Sequence, residues 1–529
     1  MKHETKEVTR IPRTMSTQHP DNVSVPEWSP NEIIDGNTEI FEAYLAYKNL
    51  GCQEVMWDSE GKDVDTRVVR KLLNKYGTYF LRHMLGKTVF LTYRIPNPKI
   101  ELIERKIVIE TLQNIPVAYD VASTFYKKEV APIFEVILPF TTDSKELILL
   151  FNYYKKVIIG DSEVTLDEST KVKDWVGTFK PKRIQIIPLV EDFISLCSID
   201  KIVKPYIKAV KPKHLRVFIA RSDPALNYGL LCAVLLSKIA LSKLRKTAKE
   251  QEISVHPIIG VGTKPFRGHL APDNVENFLQ EYKGLSTVTI QSALRYDYPL
   301  EEAKECIRLL NERLPNGEPM IIEPCEEALL LQALHKCKEQ YESVIEPLAP
   351  LINSIAGYVP PRRARKLHIG LFGYSRNVAG VRLPRAITFA AALYTIGLPP
   401  EFIGCKVLDA LREDELNLIL KHYVKVKHDL NSIGGYLSWQ NLNMLVEIHQ
   451  KVPERARTNR EKLKIALTNI LTDLQTAEEK LGIKLGPRTL TQKRHENFAN
   501  NFLISYIERK DEEAKKALVE AAKLRRCLG

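Results

Sequence analysis

Cysteine is sparse and scattered in this 529-residue chain: the eight are Cys52, Cys197, Cys232, Cys306, Cys325, Cys337, Cys405 and Cys527. No two stand at CxxC spacing, so neither a zinc site nor a dithiol redox motif is indicated, and free thiols in a reducing cytosol are the simplest account. The first thirteen residues are charged and lack an apolar core, so they do not read as a secretory leader. The longest apolar stretch, Gly229 to Leu236, stops at Lys238 and is far too short to span a bilayer. There is no Walker loop, no dinucleotide fingerprint, no internal repeat and no low-complexity segment. Basic residues outnumber acidic ones, 77 to 65, for a net charge of +12. Yet no basic block is interleaved with aromatics, which argues against nucleic acid as the partner. The surplus fits a solvated surface and a cleft that concentrates anionic metabolites. The expectation is a cytoplasmic protein with no membrane and no nucleic-acid partner.

What is present is alternation. Over the first 300 residues, short strand-like runs at 14–18, 53–57, 88–94, 134–140, 183–190, 216–221, 257–261 and 288–294 are separated by longer charged, helix-compatible segments. Runs such as Phe134-Glu135-Val136-Ile137-Leu138-Pro139-Phe140 are apolar nearly throughout, as strands buried on both faces must be. Eight strands alternating with helices predict an α/β fold, a closed (β/α)8 barrel of parallel strands with its active site at their carboxyl ends. After residue 300 the spacing turns helical, at 299–314, 323–343, 383–397, 400–422, 437–450, 459–481 and 492–524. The organisation expected is a catalytic barrel over 1–300 and an extensive α-helical region over 301–529. The latter contains an Arg/Gly loop at about 360–385, in which Arg362, Arg363, Arg365 and Lys366 repel one another unless an anion or solvent balances them.

Chemistry-bearing residues fall at the strand ends. His19, beside the rigid Pro20, ends the first run and is the natural proton shuttle. Glu191 and Asp223 end consecutive runs. Adjacent parallel strands lie about 4.8 Å apart, so two such carboxylates can share one Mg²⁺ or Mn²⁺ ion. The bland alternative for Asp223, which precedes Pro224, is a helix N-cap. The loop Gly260-Val261-Gly262-Thr263-Lys264-Pro265-Phe266-Arg267-Gly268 offers backbone NH groups, Lys264 and Arg267 where barrel enzymes often hold phosphate. Arg94 and Arg295 also end strand-like runs, and burial there without an anion is costly, which favours substrate binding.

Taken in order, these residues resemble a family. Thr17-Gln18-His19-Pro20-Asp21-Asn22 resembles the opening of the archaeal-type phosphoenolpyruvate carboxylases. Pro188-Leu189-Val190-Glu191, Ser222-Asp223 and Phe266-Arg267-Gly268 are similar to their two metal carboxylates and glycine-rich arginine loop. Gly373-Tyr374-Ser375-Arg376 and Leu383-Pro384-Arg385-Ala386-Ile387 are similar to the elements that carry two active-site arginines. The resemblance implies that bicarbonate attacks the phosphorus of phosphoenolpyruvate, giving carboxyphosphate and an enolate held by Mg²⁺ or Mn²⁺ on Glu191 and Asp223. His19 then takes the carboxyphosphate proton, and carbon dioxide is released beside the enolate to form oxaloacetate. It implies Arg267 and Arg376 as catalytic, Arg94, Lys264, Arg385 and Arg295 as substrate-binding, no biotin, a loop at 372–380 that closes, and a homotetramer. Three departures stand out, the first being that the relatives' loop carries two arginines where this one offers Arg267 with Lys264. The lysine that follows the metal aspartate in relatives is replaced by Leu226-Asn227. Cys527 stands where bacterial chains have an asparagine that binds inhibitory aspartate or malate, so weak inhibition is expected. The rivals are another barrel enzyme (a lyase or phosphotransferase) acting on phosphoenolpyruvate or a keto acid, which would not depend on bicarbonate, and a basic RNA-binding or scaffolding protein.

Overall fold

A computed structural model describes residues 10–62, 64–103, 105–366, 377–378, 380–453, 456 and 459–529. Eight parallel strands close into a barrel in sequence order: Thr14–Ser16 (β1), Glu54–Asp58 (β2), Phe90–Arg94 (β3), Glu135–Leu138 (β4), Gln185–Val190 (β5), Leu215–Ala220 (β6), Val255–Gly260 (β7) and Thr287–Ile290 (β8). The (β/α)8 expectation holds, each strand lying within about two residues of its sequence-predicted run.

Alternation along the strands decides what fills the barrel. At its amino end Arg216 (β6) donates to Glu54 (β2) at 2.7 and 2.9 Å, to Glu135 (β4) at 2.9 Å and to Thr287 (β8) at 3.3 Å. Burying these charges is tolerable because each finds its opposite there. Two residues further along, Met56, Ile137 and Phe218 build an apolar layer with Met15, Ile187, Leu189 and Ile258. The same register carried on brings His19 after β1, Asp58 on β2, Arg94 on β3, Glu191 after β5 and Gln291 after β8 to the carboxyl mouth.

The shell and the later helices share one apolar cluster that runs from Val23 to Leu528. The stripe expected over 459–481 is the helix Arg460–Leu481, capped by Asn459, which accepts from Lys462 N at 3.1 Å. Its Leu463, Leu467, Ile470 and Leu474 are buried. Three expectations change. Residues 492–524 form two helices, Leu490–Ile507 and Asp511–Arg525, the second opening on Asp511, Glu512 and Glu513, which suit the positive end of a helix. Residues 400–422 break into Pro400–Phe402, Val407–Ala410 and Glu413–His422, and the helix Val426–Gly434 was not expected. The apolar run at 229–236 belongs to a longer helix, Ser222–Glu250. By length and composition it could cross a membrane, but 83% of its apolar window is buried inside the protein. It kinks at Gly229, where φ is +84° and a Cβ would stand 2.9 Å from the Tyr341 ring.

Candidate active site

A cavity of about 580 Å³ opens at the carboxyl mouth of the barrel, roofed by residues 356–365 and 385–388. His19, Arg94, Glu191, Asp223, Arg267 and Arg385 all line it. The opening phrase of the resemblance divides its labour by alternation. Thr17 Oγ1 contacts His19 Nδ1 at 3.0 Å, leaving Nε2 as the working nitrogen. Gln18 accepts from Asp58 N at 2.8 Å and donates to Glu39 at 3.0 Å. Burial, together with the cations Lys62, Arg94 and Arg267, holds the His19 pKa well below 6.5 against the pull of Asp58. The imidazole is therefore neutral, and able to accept a proton, at physiological pH.

Beside it lies a network that sequence reasoning missed. Arg94 donates to both oxygens of Asp58, at 2.7 and 2.9 Å, and to Glu60 at 2.6 Å. Lys62 pairs with Asp58, and Arg385 stands 3.8 Å from Glu60. Burial works to raise the Asp58 pKa, but Arg94 and Lys62 outweigh it and keep the carboxylate ionised. Lys62 is 2% exposed, and burial pushes its pKa down to about 8; Asp58 opposes this while Arg94, Arg365 and Arg385 add to it. Lys62 lines the cavity, which puts a lysine at the mouth although none follows Asp223. The signal was available, since Asp58 lies on the inward register of β2, four residues before Lys62 in the turn that follows.

Above its folded pKa Lys62 loses its charge, so kcat/KM is expected to fall as pH rises through about 8. In Lys62→Met this alkaline limb should vanish and kcat/KM drop by about 10²–10³-fold, as for loss of one preorganised charge. The acid limb should move to higher pH, because removing a cation raises the His19 pKa. A pH profile of kcat/KM checks all three, and an unchanged alkaline limb would show that Lys62 is not the group titrating.

Arg267, 2% exposed, is held from four sides. Nη1 donates to Asp21 at 3.0 Å and to the Gly529 carbonyl at 2.6 Å, Nη2 to Gln291, and Nε to Ser222 at 3.1 Å. Asp21 in turn accepts from Ser292 Oγ at 2.9 Å and Ala293 N at 2.7 Å. The loop is braced from below by Arg221, which donates to the carbonyls of Pro265 and Phe266 at 3.2 Å and to Tyr282 at 2.9 Å. Gly268 closes it at φ +116°, where a Cβ would meet Val261 Cγ1 at 2.4 Å.

Glu191 and Asp223 follow β5 and β6, which pair through Leu189↔Phe218 and Val190↔Ile219. Phe140 N donates to Glu191 Oε2 at 2.8 Å, fixing that carboxylate. The N-cap alternative for Asp223 does not hold: the helix begins at Ser222 with Arg221 at its cap, and Asp223 lies in the first turn. Two hard oxygen donors that follow neighbouring strands and line one cavity fit Mg²⁺ or Mn²⁺, which keep water and substrate oxygens as their other ligands.

Other expected residues sit elsewhere. Arg295 lies outside the lining, donating to Ser16 at 3.0 Å and the Thr17 carbonyl at 2.8 Å and pairing with Glu42 at 3.1 Å. The anion its burial requires is a protein carboxylate, so it positions the end of β1. Lys264 also lies outside the lining, its Nζ 5.8 Å from the Tyr436 ring centre. Of the four repelling cations, Arg362 pairs with Glu32, and Arg363 with Glu39 and Glu42. Protein carboxylates thus supply the balancing anion for two of them. Arg365 reaches the cavity. Arg376, and residues 372–376 and 379 of the loop expected to close, lie outside the described residues.

A family model described as phosphoenolpyruvate carboxylase matches residues 11–529. A phosphoenolpyruvate carboxylase of Caldivirga maquilingensis is 46% identical over 519 residues, covering 98% of this chain and 99% of that protein. One from Metallosphaera sedula is 45% identical over 98% of this chain and 99% of its own length. One from Picrophilus torridus is 44% identical over 99% of this chain and 100% of its own. With a barrel mouth so furnished and likeness along its whole length, the chain belongs to the phosphoenolpyruvate carboxylase family.

Proposed function

We propose that this protein is a carboxy-lyase that joins phosphoenolpyruvate and bicarbonate, giving oxaloacetate and phosphate. The observation that carries the reading is the convergence of His19, Arg94, Arg267, Arg385, Glu191 and Asp223 on one cavity. The cations bind the phosphate and carboxylate of the substrate and stabilise charge on phosphorus as bicarbonate attacks, in a cleft shielded from water. A divalent ion held by Glu191 and Asp223 supplies Lewis-acid stabilisation of oxyanion charge when bound, and Mg²⁺ or Mn²⁺ suits these donors. Neutral His19 accepts the proton of carboxyphosphate at Nε2, releasing carbon dioxide next to the enolate. Arg376 is retained as catalytic from the resemblance. No biotin is required, because carboxyphosphate carries the activated carbon.

The same reading includes a homotetramer, a cytosolic location in keeping with eight free cysteines, and weak inhibition by aspartate or malate, since buried Cys527 stands at the inhibitor asparagine's place. The barrel over 1–300 is the catalytic unit, and the helices of 301–529 complete its roof.

Oxaloacetate, followed by coupled reduction, should appear only with phosphoenolpyruvate, bicarbonate and Mg²⁺ or Mn²⁺ together. Asp223→Ala should lower this rate by roughly a hundredfold or more, since the ion is worth several kcal/mol of charge stabilisation, and extra metal should restore little. Were Asp223 only a first-turn helix residue, stability alone would fall, by about 0.3–1 kcal/mol. Oxaloacetate formation with unaltered metal dependence in this variant would reject the metal assignment. A wild-type rate indifferent to bicarbonate would reject the function.

A further inference from the structure

Among the described residues, one group of side chains that could hold a metal ion lies outside the cavity. His269, His428 and Asp429 each offer a ligand atom, and these atoms all lie within 4.8 Å of one another. We propose that they form a second cation site, selective for Zn²⁺-class transition ions, which clamps the Arg267 loop to the helix Val426–Gly434. The chemistry of the donors argues for that class. Two imidazoles and one carboxylate suit Zn²⁺, Co²⁺ or Ni²⁺, whereas Mg²⁺ prefers oxygen donors and water.

The site is prepared in three ways. His269 Nδ1 stands 2.6 Å from Asp429 Oδ1, sharing a proton that an ion would replace. Asp429 Oδ2 accepts from Tyr423 OH at 2.7 Å, an outer contact that aims the carboxylate. His428 Nε2 contacts Asn274 Oδ1 at 2.8 Å and Asn277 Nδ2 at 3.2 Å; with Nε2 donating over the shorter contact, Nδ1 carries the lone pair an ion needs. Asn274 also donates to the His269 carbonyl at 2.8 Å, tying both histidines to one side chain. Metal–ligand bonds of about 2.0–2.2 Å bring neighbouring donors closer than 4.8 Å, so one ligand must swing inward. His428 is exposed and can do so, and it leaves the remaining position to water. His269 holds a left-handed backbone, φ +63°, uncommon for a residue with a Cβ. It is two residues from Arg267, and His269 N donates to the Lys264 carbonyl at 3.0 Å within the same loop. An ion there therefore restrains the loop that presents Arg267.

The test is titration of the chelator-stripped, full-length protein with Zn²⁺ in the presence of saturating Mg²⁺, with Co²⁺ absorption as a second probe. One equivalent should bind, give a tetrahedral or five-coordinate Co²⁺ band, and raise the thermal midpoint. In His428→Ala, whose exposed side chain is dispensable for folding, affinity should fall by more than the roughly 10–100-fold that loss of an outer-shell partner costs, and the thermal shift should disappear. Asp223→Ala should leave Zn²⁺ binding and the Co²⁺ band intact. Absence of binding, equal binding by His428→Ala, or loss of the equivalent in Asp223→Ala would each overturn the proposal. The last would place the ion in the cavity and leave the carboxylase reading untouched.

Discussion

His19→Asn converts the site into a bicarbonate-dependent phosphatase of phosphoenolpyruvate, with pyruvate and phosphate replacing oxaloacetate. In the proposed mechanism the first step, attack of bicarbonate on phosphorus, relies on Arg94, Arg267, Arg385 and the carboxylate-held ion, all intact in this variant. The second needs a neutral imidazole to accept the carboxyphosphate proton. Asparagine keeps hydrogen-bonding capacity and approximate size but has no basic nitrogen. Without that acceptor carboxyphosphate fails to decarboxylate productively, and the enolate is protonated to pyruvate. Oxaloacetate should fall by about 10²–10⁴-fold, the range that a positioned general base supplies, while phosphate release persists. Because burial and neighbouring cations hold the His19 pKa well below 6.5, the wild-type product ratio should stay constant through neutral pH and turn toward pyruvate only in more acid solution. The measurement is the ratio of pyruvate to oxaloacetate, with phosphate as the total. Substantial oxaloacetate from a folded His19→Asn protein sinks the base assignment, and loss of phosphate release moves His19 to the first step.

Asp21→Asn should damage stability and catalysis together. Asp21 is fully buried and its side-chain carboxylate accepts from Arg267 Nη1 at 3.0 Å. Asparagine can still accept from Ser292 and Ala293, but the buried guanidinium loses the Asp21 counter-charge beside it. Breaking such a pair costs about 3–5 kcal/mol, readable as a lower midpoint in urea. Activity should fall at least tenfold, since about 1.4 kcal/mol of misplaced charge suffices. Arg267→Met separates the two effects. It strands Asp21 instead and should abolish turnover, so a variant of either kind with wild-type activity would remove Arg267 from the phosphate-binding set.

The barrel was legible because strands buried on both faces are near-continuous apolar runs, and eight of them can be counted between charged segments. That His19, Glu191, Asp223, Arg267, Arg94 and Arg385 would meet at one cavity was legible because barrel sites lie at strand ends and because the ordered phrases resemble a family. Lys62 and Asp58 were not, although β2 shows its inward register plainly through Glu54, Met56 and Asp58. Attention to strand-end residues passes over a charge in the middle of a turn. Arg295 and Lys264 misled for the opposite reason. A cation near the mouth reads the same in sequence whether it lines the cavity, as Arg94, Arg267 and Arg385 do, or packs outside it against Glu42 or an aromatic ring. Which carboxylate lies opposite is a property of tertiary structure, and Glu42 is 253 positions from Arg295.

The bonds around Arg267 also bear on how the protein is made. A ribosome delivers Asp21 early and Gly529 more than 500 residues later, yet both accept from one guanidinium, and Leu528 N donates to the Asp21 carbonyl at 2.8 Å. Gly529 packs so closely that a Cβ would meet the Ile387 carbonyl at 2.2 Å. The eight strands are complete in sequence once residue 290 has emerged, but Arg267, proposed to bind phosphate, lacks its bond to Gly529 until residue 529 follows. Translation therefore delivers every barrel strand before Arg267 can have all the bonding partners it holds in the folded protein.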